Sequence, residues 1–139
     1  MENPKAEELK RRTRRFASRV ITLVTALPRG PVADVIGRQL LRSGTSVGAN
    51  YRAACRARSN RDFLAKLGIV EEEADETLYW LELIVENGIV AEPLVKDLMN
   101  EAEQLLAITV SSIQTARNSR REWPVRQSAI RNPQSAIAR

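Results

Sequence analysis

Apolar residues recur along the chain in steps of three and four, the spacing that lines one face of an α-helix, and they do so in four separate segments. The first, from about Glu7 to Leu27, carries Leu9, Thr13, Phe16, Val20, Leu23, Val24 and Leu27 before Pro28-Arg29-Gly30-Pro31 interrupts it. The second runs from about Val32 to Arg58 and sets Ile36, Leu40, Ser43, Val47, Asn50 and Ala54 on a heptad-like seam. Ser59, with Asp62 three residues on, has the form of a helix N-cap. The third segment follows it with Phe63, Leu67, Val70, Ala74, Thr77, Leu81 and Ile84, and Asn87-Gly88 supplies its stop. The fourth opens near Pro93, carries Leu94, Leu98, Ala102, Leu105, Thr109, Ser112 or Ile113, and Ala116, and fades near Asn118.

Four helices of similar length with short connections predict an all-α, antiparallel up-down-up-down four-helix bundle over residues 1–118. Residues 119–139 lose the periodicity, contain Pro124, Pro133 and several Arg, and repeat Gln127-Ser128-Ala129-Ile130 as Gln134-Ser135-Ala136-Ile137. A basic, disordered tail is expected there.

Composition narrows the chemistry. The 139 residues include no His and one Cys, which removes the commonest general base and any internal disulfide or thiolate metal cluster. The run Glu71-Glu72-Glu73-Ala74-Asp75-Glu76 has the carboxylates of a metal centre, but a di-iron bundle pairs its Glu with His. No catalytic, cofactor or metal residues are assigned, and an enzyme is not expected. No apolar run is long enough to span a bilayer and the N-terminus lacks a secretory layout, so a cytoplasmic location and no membrane partner are expected.

Charge is unevenly placed. Residues 1–61 hold fourteen Lys or Arg against four Asp or Glu, whereas residues 62–116 hold two against twelve. Lys10-Arg11-Arg12-Thr13-Arg14-Arg15 and Arg19 crowd the start of the first helix, where the macrodipole disfavours cations. Arg52, Arg56 and Arg58 close the second helix, which an antiparallel hairpin brings to the same end. Arg is the cation of planar, bidentate recognition, so three uses stay open: binding of a phosphate backbone, pairing with carboxylates of another subunit, or a solvated face. The first nominates Arg11, Arg12, Arg14, Arg15, Arg19, Arg52, Arg56 and Arg58 as a nucleic-acid surface.

Gln39, Ser43, Ser46 and Asn50 run along or beside the seam of the second helix, among Gly44, Gly48 and Ala49. Close packing explains the small residues, and Asn50 is expected to find partners that fix register. Glu73, Glu76 and Trp80 lie at the edge of the third helix's stripe and are read as an intersubunit or interhelical edge.

The stretch Gln39 to Arg58, the blocks Asp62-Phe63-Leu64-Ala65-Lys66-Leu67-Gly68-Ile69-Val70 and Glu73-Ala74-Asp75-Glu76-Thr77-Leu78-Tyr79-Trp80-Leu81-Glu82-Leu83, and Leu105-Leu106-Ala107-Ile108 with Ser111-Ser112-Ile113 resemble the bacterial four-helix-bundle family named for reading frames within intervening sequences of large-subunit ribosomal RNA genes. The resemblance spans roughly residues 9–117. It implies an antiparallel bundle that assembles as a ring-like homopentamer without enzymatic activity. The family is also similar to accessory proteins of diversity-generating retroelements, whose basic pentamers bind nucleic acid and a reverse transcriptase. This chain departs from the family at Ala53, often Glu, and at Glu71-Glu72, where apolar or basic residues are common. Together these readings give a non-enzymatic oligomer that binds RNA or DNA backbone; the alternative is a scaffold that docks an acidic protein.

Overall fold

The computed structural model describes residues 3–119. It contains α1 (Pro4–Ala26), α2 (Pro31–Cys55), α3 (Asn60–Glu86), a 3-10 turn (Glu92–Leu94) and α4 (Lys96–Asn118), with no strand among the described residues. Residues 120–139, on which the expectation of a disordered tail falls, lie outside them.

Local chemistry accounts for the helix ends. Asn3 Oδ1 accepts from the Lys5 amide at 2.9 Å and Pro4 occupies the first turn, so α1 begins three residues before the apolar stripe becomes visible at Glu7. Ser59 Oγ accepts from the Asp62 amide at 3.0 Å, the cap expected for α3. At the other end of α3, Gly88 adopts φ +65°. The Ile89 and Gly88 amides donate to the carbonyls of Ile84 and Val85 at 2.9 and 3.1 Å, and Ile89 packs on the core. That is a Schellman stop.

Two boundaries differ from expectation. α2 ends at Cys55, leaving Arg56 as C-cap and Arg58 in the turn. Pro93 belongs to the 3-10 turn, and α4 begins at Lys96. Val95, buried just before α4, anchors that turn.

The helices pack in cyclic order, α1 on α2, α2 on α3 and α3 on α4, with a slighter contact closing α4 onto α1. Phe16, Val20, Leu40, Val47, Leu67, Val70, Leu81, Ile84 and Leu105 form the centre of one core. Burial of such a side chain contributes about 1.5–3 kcal/mol. The α1–α2 seam is close: a Cβ at Gly44 would lie 2.8 Å from both methyls of Val20, and one at Gly48 would lie 3.2 Å from Thr13 Oγ1. Small residues at these two positions let the helices approach, and the order of the contacts (44 with 20, 48 with 13) shows that they run antiparallel. Asn60 Nδ2 donates to the Ala116 carbonyl at 3.0 Å. The starts of α1 and α3 and the ends of α2 and α4 therefore share one end of the bundle.

Candidate nucleic-acid interface

The shared end is built from cations of all four helices. α2 contributes Arg52 in its last turn and Arg56 as its cap, the following turn contributes Arg58, and α4 contributes Arg117 in its last turn. Cations at these helix C-termini lie where the macrodipole favours them. Arg61 stands in the first turn of α3. Arg52, Arg56, Arg58, Arg61 and Arg117 are all exposed. Sequence reading missed Arg61 and Arg117, although both could have been placed: each sits within three residues of a helix end that antiparallel connectivity assigns to this pole.

Five of the eight nominated residues lie on α1, and they differ in their partners. Arg14 and Arg15 are exposed, and neither forms an ion pair among the described residues. Arg11 donates to Glu8 of its own helix at 2.8 and 3.2 Å, an exposed pair of small energetic value. Arg12 is different. Its Nη2 donates to Glu101 Oε1 at 2.7 Å and its Nε to Glu101 Oε2 at 3.1 Å, while Nη2 also reaches Gln104 Oε1 at 3.1 Å. This fork bridges α1 to α4 across the slightest seam, and the Glu101 hydrogen bond raises the Arg12 pKa against the opposing effect of burial. Arg12 thus serves the fold, and because α1 begins at Pro4 it stands in the third turn, beyond the reach of the helix N-terminal dipole.

Arg19 is half-buried and precedes Val20, which packs on Gly44. At 1.5 Å per residue, the level of Gly44 lies about 18 Å along α2 from Arg56. Gly48, level with Thr13, lies about 12 Å along α2 from Arg56, so Arg11, Arg52, Arg56 and Arg58 stand towards one end, Arg14 and Arg15 stand between that end and the waist, and Arg19 stands near the waist.

The flank formed by α3 and α4 is acidic. An open cleft of about 500 Å³ between α3 and α4 is lined by Glu71, Glu72, Asp75, Gly68, Leu106 and Val110. Among the described residues no group of three or more His, Cys, Asp or Glu is arranged to hold a metal, and no helix is long and apolar enough to cross a membrane.

Glu73, Glu76 and Trp80 form an edge between helices within the chain. Arg42 of α2 donates through Nη1 to Glu73 Oε1 at 3.2 Å and through Nη2 to Glu76 Oε2, and the Trp80 indole N–H donates to Glu76 Oε2 at 2.9 Å. Trp80 is half-buried against the core, whereas Tyr79, its edge-to-face neighbour, is 52% exposed. Arg42 was not singled out from sequence, because which α2 cation meets α3 depends on how far α2 rotates about its axis.

The polar seam of α2 is also resolved. Asn50 Nδ2 donates to the Ser46 carbonyl of its own helix at 2.8 Å, so it does not tie α2 to a neighbour through that group. The buried polar contact of this seam with a neighbouring helix is Ser43 with Thr77.

The arrangement defines a class: an all-α bundle with one basic pole and one acidic flank. The chain belongs to the family described as 23S rRNA-intervening sequence protein, which matches residues 6–111. It is also similar to a crystal structure of a protein of unknown function from the S23 ribosomal protein family of Bacteroides thetaiotaomicron VPI-5482. That similarity amounts to 33% identity and a TM-score of 0.69, covering 76% of this chain and 98% of the other. No curated protein matches the chain. The family is not a known enzyme family.

Proposed function

We propose that this protein is a non-enzymatic, oligomeric bundle that binds the phosphate backbone of RNA or DNA through its basic pole. The observation that carries the reading is the placement of Arg14, Arg15, Arg52 and Arg58, all exposed and none in an ion pair with a described acid. Arg11 and Arg56 add to the same end, and the acidic flank of α3 and α4 orients the molecule by repelling phosphate. The contacts are to backbone, so affinity falls with salt and differs little between sequences. In this role the protein would serve a ribonucleoprotein or a reverse-transcriptase complex as an accessory subunit.

Assembly into a homo-oligomer, with five subunits as the expected number, multiplies a modest affinity through avidity. Exposed Tyr79, Ile69 and Val35 on α2 and α3 support a subunit contact at or beside the Glu73, Glu76 and Trp80 edge. Titration of the full chain against unrelated RNAs and DNAs at several salt concentrations tests the binding, and light scattering tests the mass. Absence of binding at about 50 mM salt, a regime in which backbone contacts are strong, would leave the alternative, a scaffold for an acidic protein. Its partner would co-purify after nuclease digestion.

A further inference from the structure

Resting on the reading above, the distribution of aromatic rings selects the form of nucleic acid. Single strands are held by a basic groove together with exposed rings on which bases stack, worth about 1–3 kcal/mol per base. Among the described residues the basic pole supplies the first element without the second. Phe16 is 1% exposed and Tyr51 7% exposed, both inside the core, and Phe63 is packed against it. The two remaining rings among the described residues, Tyr79 and Trp80, lean on each other on α3 with centroids 5.0 Å apart, and Glu76 accepts the Trp80 N–H. They stand in the acidic half of the chain, between Asp75-Glu76 and Glu82.

A second observation concerns rigidity. Arg14 and Arg52 project from α1 and α2 beside the contact in which Gly48 lies flush against Thr13, with a hypothetical Cβ 3.2–3.3 Å from Thr13 atoms. Two helices locked this closely hold the backbone positions of Arg14 and Arg52 at a fixed separation. Cations on a backbone so fixed suit phosphates that are themselves fixed in space, as on a double helix; a flexible strand must be ordered to meet them.

We infer that the ligand of the basic pole is double-helical nucleic acid, gripped by its phosphates from Arg14, Arg15, Arg52 and Arg58, and that unpaired strands are the weaker ligand. The shared chemistry is a duplex phosphate array, which RNA and DNA both offer.

The test uses the full chain with four probes, an RNA duplex, a DNA duplex and one separated strand of each, followed by fluorescence anisotropy. Either duplex is expected to bind at least about fivefold tighter than its own strand, with a log–log salt slope of about −4 for four to five phosphate contacts. The tighter duplex identifies the source. Strands that bind as tightly as both duplexes overturn the inference and leave backbone binding standing, whereas no binding by any probe overturns both. Trp123 is the one aromatic of the sequence outside the described residues. W123A is expected to keep the duplex preference, and loss of duplex binding in that variant would also overturn the inference.

Discussion

The Ser43 and Thr77 hydroxyls are hydrogen-bonded to each other at 3.0 Å, fully buried across the α2–α3 seam. Each also lies beside a carbonyl of its own helix, Leu40 at 3.3 Å for Ser43 and Glu73 at 2.7 Å for Thr77. Two hydroxyl hydrogens thus serve three contacts, so loss of one partner leaves the other satisfied. Thr77→Val, which keeps the side-chain shape, is therefore expected to cost about 0.5–1.5 kcal/mol, the range for a net hydrogen bond, and not the larger penalty of an orphaned buried hydroxyl. Urea unfolding of Thr77→Val, Ser43→Ala and the double variant checks this, with a positive coupling expected between the two sites.

Gly44 and Gly68 make opposite predictions for the same substitution. A methyl at Gly44 meets both Val20 methyls at 2.8 Å, in a fully buried side chain that cannot swing away, whereas a methyl at Gly68 meets nothing within 4 Å. Gly68→Ala is expected to stabilise by about 0.5–1 kcal/mol through helix propensity. Gly44→Ala gains the same propensity but is expected to lose about 1–3 kcal/mol to overpacking, for a net destabilisation. Thermal unfolding of the two variants reads the sign directly.

These seam contacts show how much of the molecule was legible in its sequence. Ser59 and Asn87-Gly88 declared the ends of α3 because a cap and a left-handed stop are chosen by a few neighbouring residues. The glycines of α2 announced a close neighbour, since each sacrifices helix propensity within a helix interior. Long-range polar pairing was not legible: that Arg12 turns to Glu101 and Arg42 to Glu73 and Glu76 depends on the rotation of each helix about its axis. The apolar stripe fixes that rotation only to within a side chain's reach. The start of α4 was misplaced for a local reason, because Pro93 can open a 3-10 turn as readily as an α-helix. Net charge by segment located the basic end, but only packing separated Arg12, which belongs to the fold, from Arg14 and Arg15.

Arg12 and Glu101 are three-quarters or more shielded, with side chains 25% and 18% exposed. Arg12→Ala is expected to cost about 1–2 kcal/mol, as befits a charge-assisted pair near the surface. The exchange Arg12→Glu with Glu101→Arg should restore part of the loss, and urea unfolding of the three proteins measures it. Because Arg12 is committed to the α1–α4 seam, Arg12→Ala is expected to weaken nucleic-acid binding less than Arg14→Ala does.

Tyr51 and Cys55 sit one turn apart on α2, and both titrate high. Burial is the main cause for each: it raises the Tyr51 phenol, with a further rise from Cys55, and it raises the Cys55 thiol against the lowering effect of its Tyr51 hydrogen bond. Both groups are acids whose folded pKa exceeds the unfolded value. The fold is therefore favoured while they are protonated and loses stability as the pH rises past the ordinary values of 9.0 and 10.0. Unfolding measured from neutrality to pH 11 should show this decline above about pH 9, and Cys55→Ser with Tyr51→Phe should flatten it. At pH 8 a thiol reagent should label Cys55 more slowly in the folded chain than in urea.

The most direct test of the account is the affinity of charge-reversal variants for a duplex at about 50 mM salt, where backbone contacts dominate. Arg14→Glu and Arg52→Glu place an acid at the basic pole, whereas Arg29→Glu makes the same change in the α1–α2 connection at the other end of the bundle. Each of the first two is expected to weaken binding about tenfold on every sequence tried, which corresponds to about 1.4 kcal/mol, and the third to leave it within about twofold. Equal loss from all three, or no binding by the unaltered chain, would contradict the claim that this pole meets phosphate.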